Sequence, residues 1–217
     1  MSNIPLLLMY LEAPLQSYGE NSKWDYRDTS LIPTKSSIVG LIACAMGVPR
    51  DDNRLIELSK SIKIGVRVDR KGTILREFQT ITGELYTAEG ELWGSKSKPI
   101  KTKLSFRQYL EDACFLVAIE GSEEVINQIE EALKSPKWQI FLGRKTCVPS
   151  RPVLECITTE YDSLEYAIKS YPLCNRADKG AIVYQVEDLC GNVYRYDETL
   201  AKVGISYGRR AVKQSVI

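Results

Sequence analysis

Residues 31–52 read LIPTKSSIVGLIACAMGVPRDD, a helix start rich in anion-binding groups that runs into an almost wholly apolar helix. Pro33 restrains the entry, and Thr34, Ser36 or Ser37 can cap the first turn by accepting from its free backbone N–H groups. Lys35 sits where those donors point. A helix N-terminus carries about half a positive charge, so the turn reads as a seat for a phosphate or carboxylate. Beyond it Ile38, Val39, Leu41, Ile42, Ala43, Ala45 and Met46 leave no polar face, which predicts a buried helix over 36–46. Alone, the same residues also describe an ordinary capped core helix, and the flanking sequence has to decide.

Working outward, residues 4–11 form a short apolar run that predicts a buried strand before the helix. The loop between them, residues 12–32, holds Gln16, Tyr18, Gly19, Trp24, Tyr26 and Arg27, a mixture able to stack on bases and contact phosphates. After the helix, Gly47-Val48-Pro49 breaks the chain, and an amphipathic helix is predicted over 52–61 with Leu55, Ile56 and Leu58 inward. A strand over 62–68 follows. Residues 73–82 and 102–106 predict a long hairpin whose tip, 84–99, carries Tyr86, Trp93 and several lysines and should project. Residues 113–119 predict a second buried strand, 122–133 a helix capped by Ser122, and 138–142 a returning strand.

This order, strand, helix, strand, hairpin insertion, strand, helix, strand, predicts an α+β chain of ferredoxin-like (RRM-like) pattern over 1–157, an architecture that many single-strand RNA binders use. From residue 158 onward the pattern changes to a short helix over 163–169 and β-rich pieces at 181–187, 192–196 and 203–207. A small β-rich carboxy-terminal region, 158–217, is expected there.

At 217 residues, with 44% hydrophobic and 26% charged residues, the chain can bury a substantial core. The first apolar run is too short to span a bilayer and has neither a basic leader nor a cleavage site, which predicts a cytoplasmic protein with no membrane partner. The 6 cysteines lack a C-x-x-C pair and several lie in apolar runs, so packing rather than a disulfide framework is expected. There is no histidine, which removes the commonest acid–base group and metal ligand; neither a metal nor a cofactor is expected, and catalysis is discouraged.

The net charge of +1 hides segregation along the chain. Lys96, Lys98, Lys101, Lys103 and Arg107 fall in one acid-free stretch. Lys137, Arg144, Lys145 and Arg151 fall in another, and Lys202, Arg209, Arg210 and Lys213 surround Tyr207 and Gly208 near the end. Glu120, Glu123, Glu124, Glu130 and Glu131 form an acidic counterpart. Such segregation suits a surface that meets a polyanion.

Four blocks, APLQSYGE at 13–20, LIPTKSSIVGLIACAMGVPRDD at 31–52, FRQYLEDACFLVAI at 106–119 and FLGRKTCVPSRP at 141–152, together closely resemble the Cas-five family, in the branch belonging to the type I-E Cascade complex of CRISPR immunity. The resemblance spans about 4–157 and weakens afterward. It implies a RAMP-type, non-catalytic subunit that holds the 5′ handle of crRNA and caps the backbone filament, beside the backbone subunit (CasC) and the large subunit (CasA), with target DNA read by base pairing. It also implies a hairpin thumb at about 80–104, to which Tyr86, Trp93, Lys96 and Lys98 belong. The RNA contacts it implies are Gln16, Tyr18, Lys35, Ser36, Ser37, Arg107, Gly143, Arg144 and Lys145, with Arg209 and Arg210 from the tail. One branch of the family cleaves precursor crRNA with tyrosine, lysine and histidine; the missing histidine favours the non-cleaving branch. A metal-independent endoribonuclease and a general single-stranded RNA-binding protein are the alternatives.

Overall fold

The computed structural model describes residues 4–23, 25–87, 89–95, 98–99, 102–199 and 207–217. The chain begins with β1 (Leu6–Glu12), two short strands β2 (Leu15–Gln16) and β3 (Tyr26–Arg27), helices α1 (Lys35–Met46) and α2 (Arg54–Ser61), and β4 (Lys63–Arg70). A hairpin follows, β5 (Thr73–Thr82) with β8 (Thr102–Glu111), and at its tip lie the two-residue strands β6 (Gly94–Ser95) and β7 (Lys98–Pro99). Then come β9 (Cys114–Glu120), α3 (Glu123–Lys134), β10 (Leu154–Thr158), α4 (Leu164–Ser170), β11 (Val183–Glu187), β12 (Val193–Thr199) and β13 (Tyr207–Val216).

Seven of these strands form one sheet in the order β10-β1-β9-β4-β11-β13-β12, every neighbouring pair antiparallel. The apolar runs in β1 and β9 follow from burial on both sides of this sheet. In β1, Leu7, Met9 and Leu11 point into a core shared with Ile38 and Ile42 of α1 and with Ile126 and Ile129 of α3. Leu6, Leu8 and Tyr10 point the other way, against Leu164, Ala167 and Ile168 of α4. β9 alternates in the same manner, Phe115, Val117 and Ile119 to one core and Cys114, Leu116 and Ala118 to the other.

Three expectations are corrected. Residues 138–142 form no strand: Leu142 N–H donates to Cys147 O at 2.8 Å and Leu142 O accepts from Ser17 N–H at 3.1 Å, so these backbone groups close a loop. The edge of β1 is taken instead by β10. The second hairpin arm runs on to Glu111, in register with β5 from Thr82↔Thr102 to Thr73↔Glu111. Finally, α1 is not buried all round, since Gly40 is exposed and Ser36, Ser37 and Cys44 are half-buried. These small residues, at helical spacing, leave a narrow open strip on an otherwise apolar helix.

The β-rich pieces after residue 158 extend the same sheet, since β11 pairs with β4 and carries β13 and β12 outward. Residues 203–206 of the last predicted strand lie outside the described residues, and β13 continues from Tyr207. Buried Arg67 on β4 ties α4 to the sheet by donating to the carbonyl oxygens of Ile168, Tyr171 and Pro172 while pairing with Asp69. No described helix is long and apolar enough to cross a membrane.

Candidate nucleic-acid interface

The start of α1 is capped as its sequence predicts: Thr34 Oγ1 accepts from Ser37 N–H at 3.2 Å, and Ser37 Oγ donates back to Thr34 O at 2.7 Å. An anion does occupy this turn, and it belongs to the protein. Lys35 N–H donates to Asp197 Oδ2 at 2.8 Å, and Arg210 grips the same carboxylate through Nε at 3.0 Å and Nη2 at 2.8 Å. Lys35 Nζ, on a side chain only 1% exposed, lies 3.1 Å from Glu187 and 3.5 Å from Glu198. Burial works to raise the Asp197 pKa. The Arg210 hydrogen bonds and charge and the Lys35 N–H outweigh it and hold this carboxyl below its ordinary range. Lys35 and Arg210, expected as RNA contacts, are therefore committed to internal carboxylates.

Gln16 and Tyr18 are also internal. Gln16 Nε2 donates to Ala113 O at 2.7 Å, its Oε1 accepts from Tyr18 Oη at 2.6 Å, and both side chains are buried. Their part in any interface is to fix the backbone of residues 16–18. Ser17 O in turn lies against Gly143, whose φ is +89° and where a Cβ would come within 1.6 Å of that oxygen. Only glycine fits.

The turn after Gly143, closed by Cys147 N–H donating to Arg144 O at 2.8 Å, presents Arg144 and Lys145. The Arg144 guanidinium lies over the Tyr109 ring with 4.5 Å to its centroid, and Nη2 donates to Arg27 O at 3.2 Å. Nη1 is buried with no hydrogen-bond partner, and so is Nε of Arg107. Arg107 and Tyr109 alternate to the same face of β8, and Arg107 stands opposite Arg27 of β3 in a parallel pair. Arg27, Arg107 and Arg144 thus converge on one patch, with Lys145 exposed beside it.

That patch borders a cleft of about 1020 Å³. Its lining includes the small residues of α1, namely Ser36, Ser37, Gly40 and Cys44, and, among others, Trp138, Phe141, Gly143, Lys145 and Tyr207. Of the residues proposed from sequence, Tyr18, Ser36, Ser37, Gly143 and Lys145 line the cleft, whereas Arg107 and Arg144 belong to the adjoining arginine patch. Arg209 lies elsewhere, on the outer face of β13, over the ring of Tyr194. Trp138, Phe141 and Gly40 escaped the sequence reading. An aromatic in a run assigned to a strand and a glycine inside a helix gave the only signals.

At the hairpin tip, Tyr86 is exposed and donates to Glu84 at 2.8 Å, while Lys103 Nζ sits 4.8 Å from the Trp93 ring centroid. Lys96, Trp24, Lys101, Lys202 and the side chain of Lys98 lie outside the described residues. On one face of the hairpin Phe78 and Phe106 stand opposite each other with rings 5.4 Å apart, both exposed, alongside exposed Ile74, Leu104 and Tyr26. Among the described residues no group of three or more His, Cys, Asp or Glu side chains could hold a metal ion.

Comparison with known proteins agrees along most of the chain. A family model described as "CRISPR-associated protein (Cas_Cas5)" matches residues 6–217. The "CRISPR system Cascade subunit CasD" of Escherichia coli (strain K12) is 28% identical over 202 residues, spanning 88% of this chain and 85% of that protein. Among solved structures, a chain of a "CRISPR RNA-guided surveillance complex" superposes with a TM-score of 0.76 at 30% identity, covering 97% of this chain and 89% of its own. A second, titled "Crystal structure of Cas protein", gives 0.71 at 30% identity, covering 97% and 94%. With the family match running from β1 to the last residue, the chain belongs to the Cas5 family of CRISPR-associated proteins.

Proposed function

We propose that this chain is a non-catalytic subunit of a CRISPR Cascade complex that holds the 5′ handle of crRNA and caps the backbone filament. The observation that carries the handle site is the unpaired guanidinium nitrogen pair, Arg107 Nε and Arg144 Nη1, buried in an arginine patch whose neighbours Gly143 and Lys145 line a 1020 Å³ cleft. A buried donor on a charged group costs free energy until an acceptor arrives, and a phosphate accepts from guanidinium in a two-pronged fork. Lys145 adds a point charge. Tyr109 keeps the Arg144 plane fixed, which limits the rotamer freedom lost on binding.

The sheet order supports the ferredoxin-like, RAMP-type reading. β1, α1, β4, β9, α3 and β10 occur in that sequence, with their strands lying in the order β10-β1-β9-β4. The projecting hairpin β5–β8, with exposed apolar residues on its outer face, is the thumb that meets the backbone subunit (CasC). The large subunit (CasA) and target DNA are further partners, reached within a cytoplasmic complex. The absence of any histidine supports a subunit that holds RNA rather than cleaving it.

The test is the salt dependence of RNA retention. For single strands the slope of log affinity against log salt falls by about 0.7 for each phosphate that the protein ceases to neutralise. The double variant Arg144→Ala, Lys145→Ala should bind crRNA more weakly with a slope shallower by about 1.4, twice that amount. An unchanged slope would remove both residues from the site.

A further inference from the structure

β12 is the outer edge of the seven-stranded sheet, paired on one side with β13. Directly opposed residues of an antiparallel pair share a face, as do residues two apart on one strand. Tyr196 stands opposite Arg209 and Tyr194 opposite Ala211, so Tyr194, Tyr196, Tyr207 and Arg209 share one face. The opposite face carries Arg195, Arg210, Asp197 and Glu198, turned toward the start of α1.

The two faces have separate chemistry. Both acids of β12 are spent on the inner side, Asp197 on Arg210 and Glu198 on Lys35, and β13 contains no acid at all. The outer side is open: Tyr194 is 53% exposed, Tyr196 66% and Tyr207 39%. The Arg209 guanidinium lies over the Tyr194 ring at 4.0 Å and has no carboxylate partner among the described residues. α4 shields this side of the sheet over β4, β9 and β11 and meets β13 through Glu165 and Lys213. Rings two residues apart on a strand are about 6.6 Å from one another. Flat aromatic side chains in a row with a cation beside them are what sheet-based RNA binders use to stack successive unpaired bases.

Tyr207 joins this face to the cleft, which it also lines. We infer that the outer face of β12–β13 is a second contact surface for single-stranded RNA, where Tyr194 and Tyr196 stack unpaired bases of a strand leaving the cleft past Tyr207 and Arg209 meets its phosphates. This rests on the proposed RNA function, extends its site beyond the cleft, and assigns the tail tyrosines a role.

The experiment measures binding of the full-length chain to a fluorescently labelled, unstructured 12-nucleotide RNA across a salt series. Five proteins are compared: wild type, Tyr194→Leu with Tyr196→Leu, Tyr194→Phe with Tyr196→Phe, Arg209→Gln, and the cleft variant Arg144→Ala with Lys145→Ala. Removing one stacked base weakens binding about tenfold, so the double leucine variant should bind at least tenfold more weakly with an unchanged salt slope. Arg209→Gln should lower the slope by about 0.7. Tyr194→Phe with Tyr196→Phe, which keeps both rings, should bind like wild type. Wild-type affinity in the folded double leucine variant, with the cleft variant impaired, would overturn the second surface and leave the cleft reading standing. Wild-type affinity in the cleft variant too, or no binding by wild type, would overturn the reading on which the inference rests. If the double leucine variant keeps RNA affinity but loses a co-purifying protein, the face is a protein interface and the inference falls.

Discussion

Arg144 and Lys35 look alike in sequence, each a cation in an acid-free stretch, and the fold gives them opposite fates. Arg144 lies on Tyr109 with one nitrogen unpaired. Lys35 is enclosed by carboxylates that arrive 152 and more residues later in the chain. No local pattern shows that pairing, which is why the phosphate seat read from residues 34–37 proves to hold Asp197. Breaking a buried ion pair costs about 3–5 kcal/mol because the partner charges stay behind. Asp197→Asn should therefore lower the unfolding free energy by roughly 3 kcal/mol, measured by denaturant unfolding. The pH dependence has a defined sign. The Asp197 pKa is lowered in the folded state, so its contribution is complete above the ordinary carboxylate pKa of about 3.9 and is lost as pH falls through the lower folded value. Below about pH 4, the Asn variant should lose stability less steeply than wild type on acidification; parallel profiles would show that Asp197 is not held in its charged form. At Gly143, alanine would bring a Cβ against Ser17 O at a positive φ, and a loss of about 2 kcal/mol or more is expected. A Gly143→Ala protein as stable as wild type would mean that residues 16–18 and 142–145 do not pack as described.

The central strands and helices were legible because their patterns are local. Continuous apolar runs in β1 and β9 announced strands covered on both sides, and Ser122 marked the start of α3, where its Oγ accepts from Val125 N–H. The missed element was the edge strand. Residues 138–142 have a strand's composition, yet Leu142 bonds through its backbone to residues 17 and 147 and Gln139 O accepts from Cys44 Sγ, and periodicity carries no information on where such bonds go. The small-residue strip of α1 was hidden for a related reason: glycine and cysteine in an apolar helix read as core, and the open cleft beside them comes from loops distant in sequence. The long hairpin was legible in outline, and its exposed Phe78 and Phe106 form an apolar face. Deleting the tip between Tyr86 and Lys98 should impair complex assembly or target pairing more than handle binding, read by size-exclusion of the reconstituted complex and by target-DNA affinity. Intact target binding after that deletion would contradict the thumb assignment.

At the scale of the whole molecule, the sheet runs unbroken from β10 to β12, and the residues after 158 finish structures begun before it. Three carbonyl acceptors of Arg67 and the acids around Lys35 all lie in that later part. A chain ending at residue 157 would leave both buried cations without those partners and expose the Leu6, Leu8 and Leu116 side of the sheet that α4 covers. Circular dichroism should show no cooperative thermal transition for residues 1–157, and a sharp one would establish them as an independent domain. The central claim, that this Cas5-family chain holds the handle of crRNA within a Cascade complex, is tested most directly by recovering a tagged copy from its native cell and sequencing the RNA that accompanies it. The account predicts short RNAs that share one 5′ end and diverge beyond it, together with several partner proteins; heterogeneous RNA without partners, or no RNA at all, would contradict it.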